Sequence, residues 1–141
     1  MSKAPMRFDF SYYYYNKAGD HVWLRPAEGT LETRHAPACA IHLVQGKNIQ
    51  SVRMVVGIEG LRRILDILGN LSTSAERIDG LSNGYMELSL GSSPSVCIVQ
   101  LSDMAHDTAL SASFGMDVVG QLSQSIQTIV TYSSTPKSPQ Q

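Results

Sequence analysis

Four side chains that can stack on a flat ring, Tyr13, Tyr15, Trp23 and His42, and three fixed cations, Arg7, Arg25 and Arg53, fall in the first half of the chain. Successive residues of a strand point to opposite faces. On strands running through these segments, Phe8, Phe10, Val22, Leu24, Cys39, Ile41 and Leu43 share the face turned to a core. Arg7, Tyr13, Tyr15, Trp23, Arg25, His42 and Arg53 share the other. Rings and cations on an open sheet suit single-stranded nucleic acid: each stacked base contributes about 1–3 kcal/mol, and cations follow the phosphates. The same tyrosines also suit a subunit interface, where amphipathic aromatics are favoured, or the space between two packed sheets.

Other chemistry-bearing residues form no constellation. Cys39 and His42 are spaced like two metal ligands, but three residues apart on a strand they face opposite ways. Asp103, His106 and Asp107 cluster in DMAHD, which reads as a capped turn rather than an acid–base pair. Cys39 and Cys97 read as small core residues. Arg62 and Arg63 read as a solvated helix face, and glycines 57, 60, 115 and 120 build no phosphate-binding loop. The expectation is a protein with no catalytic residues, no metal and no cofactor.

The elements that must position these residues are legible from periodicity. RFDFSYYYY (7–15) alternates as a strand, Asn16 to Asp20 is a turn, and Val22 to Arg25 is the returning strand, stopped by Pro26. Thr30 to Arg34 reads as a further short strand. Ala38 to Gln45 and Ile49 to Val56 form a second hairpin. From Ile58 the period becomes helical, with Ile58, Leu61, Ile64, Leu65, Leu68 and Leu71 on one stripe, ending at Gly69-Asn70. Residues 72–84 read as a polar linker. Tyr85 to Leu90, Val96 to Leu101 and Thr108 to Phe114 then read as strands, followed by a helix capped by Asp117 and running to about Tyr132.

The two halves superimpose at an offset of 58 residues: Cys39 on Cys97, Leu43 on Leu101, Gly57 on Gly115, Ile64 on Leu122 and Leu68 on Ile126. The expected fold is α+β, a tandem pseudo-symmetric repeat in which antiparallel strands are followed by one amphipathic helix, twice over. It forms a single domain, 1–132, of two repeats at about 7–71 and 84–132, with a disordered tail, 133–141. At 141 residues and 43% hydrophobic, the chain can bury a core and is not a disordered polymer. It has no apolar run of about 18 residues and no signal-like N-terminal segment, so it is expected in the cytoplasm and off the membrane. The net charge of −1 conceals a basic first half and an acidic second, which marks either a polyanion-binding face or two faces that meet in a homo-oligomer.

SVRMVVGIEGLRRILDILGNL (51–71) and ALSASFGMDVVGQLSQSIQTIV (109–130) each run strand, glycine, amphipathic helix. Tandem units of this kind resemble the Whirly, PUR-alpha and PC4-like group of single-strand binders. The resemblance is architectural, covers roughly residues 7–130, and carries over no individual binding residue. It implies sequence-tolerant binding of single-stranded DNA or RNA and homo-oligomerisation through the helices. The acidic second half departs from that group and places any binding on the first-half strands. The alternative expectation is a small protein-interaction or inhibitor module of phage or bacterial accessory type, using the tyrosine-rich strand as its interface.

Overall fold

The computed structural model describes residues 10–27, 38–47, 49–81, 83–91 and 95–134. Arg7, Phe8 and the strand expected at Thr30 to Arg34 lie outside them. Four strands, β1 (Tyr12–Tyr15), β2 (His21–Pro26), β3 (Ala38–Gln45) and β4 (Gln50–Gly57), form an antiparallel meander followed by α1 (Ile58–Leu68). A second meander follows, β5 (Glu76–Asp79), β6 (Gly84–Leu90), β7 (Val96–Asp103) and β8 (Thr108–Gly115), and ends in α2 (Met116–Ser134). The expected α+β repeat of strands and helix is therefore the architecture observed.

Three boundaries differ from the sequence expectation. The stretch expected as linker holds β5, whose only buried residue is Ile78. Asp117 lies inside the first turn of α2 instead of capping it, where its charge complements the helix dipole, as Glu59 does in α1. Helix α2 runs through Ser134, two residues into the expected tail.

The repeat is tighter in space than in sequence. The row Tyr14, Val22, Leu43, Val52 across the first sheet corresponds to Ile78, Met86, Leu101, Leu110 across the second. The first two strands of each half are thus 64 residues apart and the last two 58. The β2–β3 connection accounts for the difference, with eleven residues against five between β6 and β7.

Each inner face is apolar because each strand alternates, and both sheets feed one continuous core. β3 and β4 face β7 and β8, while α1 lies against α2. Each helix also crosses to the opposite sheet: α1 packs on β5, assisted by an Arg63–Glu76 ion pair of 3.6 Å, and α2 packs on β1. The Tyr14 hydroxyl on β1 is hydrogen-bonded to the Ser125 hydroxyl on α2. The repeat-related positions, Ile78 and Ile67, are both buried apolar residues. At the centre a void of about 10 Å³, walled by Val22, Ile41, Ile64, Leu88, Val99 and Ile126 among others, has no room for a ligand.

One edge strand of each sheet, β4 or β8, is met by a turn of the other half. The turn after β5 lies on β4, where Leu81 N donates to Val55 O at 2.8 Å. A Cβ on Gly80 would stand 2.8 Å from that same oxygen, so the approach requires glycine. The turn after β1 lies on β8, where Asn16 Nδ2 donates to Ser113 O at 3.0 Å. Val55 and Ser113 are repeat-related. An edge strand with unpaired backbone is a template for unwanted pairing, and at β4 and β8 a turn of the other half occupies part of that edge.

The β3–β4 and β7–β8 turns are also twins. Each ends on a residue with φ of 52°, Ile49 in one and Asp107 in the other. Aspartate tolerates the left-handed region; a β-branched residue there is strained by about 1–2 kcal/mol.

Two outcomes follow for stability. Ile49→Asn is expected to raise the unfolding free energy by about 1 kcal/mol in urea titration, and a loss of stability would show the turn to be unstrained. Ile126→Ala, at the junction of both sheets, is expected to cost about 2–5 kcal/mol in a single transition; two separated transitions would show the halves to be independent.

Candidate nucleic-acid interface

Register puts the expected site residues in line. Tyr13 on β1 pairs with Trp23 on β2, Trp23 with His42 on β3, and His42 with Arg53 on β4. One row thus crosses all four strands on the outer face of the first sheet. Tyr13 stacks on Trp23 with ring centroids 5.2 Å apart and planes 9° from parallel. Trp23 stacks on His42 at 4.6 Å and 30°. Arg25, one strand position along, sets its guanidinium 5.2 Å from the Trp23 ring and donates Nε–H to His42 Nε2 at 3.1 Å. Trp23 Nε1 donates to Ser11 Oγ at 2.9 Å, which fixes the indole.

A second row lies beside the first. Tyr15 pairs with His21, and His21 with Val44. The Tyr15 and His21 rings are 4.7 Å apart, and His21 also lies 5.7 Å from Tyr13. His21 is the member of this face that sequence reading missed. Starting β2 at Val22 dropped it, although alternation from Trp23 and Arg25 places it on the same side. Of the expected set, Tyr13, Tyr15, Trp23, Arg25, His42 and Arg53 are brought together; Arg7 lies outside the described residues. Tyr13 and Tyr15 are 47% and 56% exposed, while Trp23 and His42, the next rings along the row from Tyr13, are half-buried.

In the row of Arg25, Ala40 and Val55, Ala40 is fully buried, packed with Ala27 just beyond β2.

His42 is a neutral ring. Burial, then the positive charges of Arg25 and Arg53 and the neighbouring His21, push its pKa down from 6.5 to about 4. The bond from Arg25 makes Nε2 an acceptor and leaves the proton on Nδ1. Burial also lowers His21, against an opposing pull from Asp20. The guanidinium is thus held against two aromatic rings without a competing cation among them.

The second sheet offers the same backbone with other chemistry. The row related to Tyr13, Trp23, His42, Arg53 is Arg77, Glu87, Gln100, Ser111. Arg77 lies 3.8 Å above the Tyr85 ring and bonds Asp79 at 2.8 Å, and Gln100 donates to Glu87 at 3.3 Å. These side chains satisfy one another.

The remaining candidates are structural. Burial pushes the Cys39 thiol up to about 12 and the Cys97 thiol up to about 11, so neither is a nucleophile at neutral pH. Cys39 is buried on the inner face, opposite to His42. Among the described residues no three His, Cys, Asp or Glu side chains gather to hold a metal ion. In the DMAHD turn His106 Nδ1 lies 2.7 Å from Asp103 Oδ2, and Ala105 N donates to Asp103 Oδ1: a capped turn, as expected. Among the described residues no helix is long and apolar enough to cross a membrane.

The histidine environment gives a sign for the pH dependence. Between pH 6.5 and about 4 the unfolded chain takes up a proton that folded His42 refuses, so stability falls as pH falls through that window. Urea titrations at the two ends of the window should show that loss, and His42→Gln should reduce it. An undiminished loss in the variant would place the proton elsewhere.

No protein-family profile matches the chain, and no curated protein matches it in sequence. Among solved structures it is similar to WHY1 from Arabidopsis thaliana, a crystal structure, with a TM-score of 0.57 and 11% identity over 91% of this chain and 92% of that one. The likeness is one of fold, and it bears out the architecture-level resemblance to the Whirly group.

Proposed function

We propose that the outer face of the first sheet binds single-stranded DNA or RNA without strong sequence preference. The row Tyr13, Trp23, His42, Arg53, with Arg25 across the indole, carries this reading. Bases stack on the half-exposed rings of Tyr13 and Tyr15, which are braced by Trp23 and His21 respectively. Arg53 at the β4 end of the row and Arg25 beside the indole neutralise phosphates. Stacking has no need of a particular base, since every base offers a π-face. The fold likeness supports the same reading, because the Whirly resemblance implies single-strand binding. The half-exposed tyrosines equally support a protein-interaction module, which differs in its response to salt.

Labelled oligo-dT and a matching RNA, titrated by anisotropy at several salt concentrations, test this. With two arginines engaged, log K should fall against log salt with a slope of about −1.4. Tyr13→Ala should cost about 1–3 kcal/mol of affinity, and Trp23→Ala with Arg25→Ala should abolish binding while the fold persists by circular dichroism. Absence of binding at low salt would overturn the reading and favour the protein-interaction alternative.

A further inference from the structure

The row of rings crosses the sheet and ends at Arg53 on β4, an edge strand. The Val55 carbonyl on the same strand accepts from Leu81 N, so it points away from β3. In an antiparallel pair the N–H and C=O of one residue point the same way, and the direction repeats every second residue. The β3–β4 register runs unbroken from Ala38 with Gly57 to Gln45 with Gln50, so no bulge shifts that alternation. Arg53 N–H and C=O therefore also point off the edge, beside the end of the row.

The other half closes the related position. On β8 the Ser113 carbonyl, related to that of Val55, accepts from Asn16 Nδ2, and the Ser111 carbonyl, related to that of Arg53, accepts from Gln45 Nε2 at 3.2 Å. The residue related to Gln45 is Asp103. A carboxylate has no proton to donate to a carbonyl, and Asp103 bonds His106 and Ala105 N instead. Among the described residues nothing bonds the outward N–H and C=O of Arg53, and its exposed guanidinium makes no ion pair. The open edge thus belongs to the half whose outer face carries the rings.

The opening is small. Between Ser51 and Arg53 it spans about 7 Å before Leu81 occupies Val55. An added peptide strand typically pairs over about five residues, more than this stretch offers. One outward residue does present a donor beside an acceptor, which is what the edge of an unpaired base bonds. A cation for the adjoining phosphate stands on the same residue.

We infer that the backbone of Arg53 bonds the edge of one base, its N–H donating to and its C=O accepting from a nucleotide that leaves the row over β4. The inference rests on the proposed single-strand binding. It adds to a stacking surface one position at which the base must be able to hydrogen-bond.

Residue-resolved amide hydrogen exchange tests this on the unaltered chain. Without oligonucleotide, Arg53 N–H should exchange fast, and the ladder-bonded N–H groups of Val52 and Met54 slowly. Saturation with a thymidine hexanucleotide should slow Arg53 by about tenfold or more. A hexanucleotide of N3-methylthymidine keeps the stacking face and loses the donor; it should bind about two- to tenfold more weakly. Arg53→Gln removes the charge alone, whereas Arg53→Pro also removes the outward N–H, a change an edge strand tolerates. Proline should weaken thymidine binding about two- to tenfold beyond glutamine. Unchanged exchange at Arg53 in a complex that forms, or equal affinity for the two hexanucleotides, would overturn the inference and leave the row's reading standing. Slowing that follows protein concentration without oligonucleotide would assign the edge to pairing between copies and overturn it too. Failure of the thymidine hexanucleotide to bind at low salt would overturn the row and the edge together.

Discussion

Neither sheet can bury its own inner face. Each is a four-stranded meander with a helix attached, and that helix lies partly on the first strand of the other sheet. The apolar residues of both halves therefore go into one core, and the burial that drives folding exists only when the two are joined. This constraint fixes which face of every strand points inward. It leaves much of the two outer faces, outside buried spots such as Ala40, available for chemistry.

The two outer faces have used that freedom differently. Inner rows match position by position, Val22 with Met86 and Leu43 with Leu101, because core volume limits what can replace them. Outer rows diverge completely, and Trp23 stands where the other half has Glu87. In the second sheet Arg77, Asp79, Glu87 and Gln100 pair among themselves. In the first, two guanidiniums stand among rings with no carboxylate in their row.

Strand alternation and the helical stripe made most of the architecture legible, since both report a burial face directly. Strand β5 escaped because Glu76-Arg77-Ile78-Asp79 has one apolar residue, too few to show alternation; it is a strand by its pairing with β6. His21 escaped because turn-forming residues precede it and blur where β2 begins. The side of each described site residue was readable; the alignment of Tyr13, Trp23, His42 and Arg53 into one row was not, since register is set by turn lengths and by the core. Periodicity also names a helix face without naming its partner, so the crossing of each helix to the opposite sheet was invisible. Ile49 in a left-handed conformation runs against its own propensity and no local rule would have placed it there.

The reciprocal contacts at β4 and β8 bear on how such a chain could have arisen. A single half, expressed by itself, would leave an unpaired strand edge and an uncovered apolar sheet. Two copies related by a twofold axis would cure both defects at once, each lending its turn and its helix to the other. The present chain has that dimer's geometry within one polypeptide. Halves within one polypeptide need not be identical, so their outer faces can differ without any loss of mutual fit.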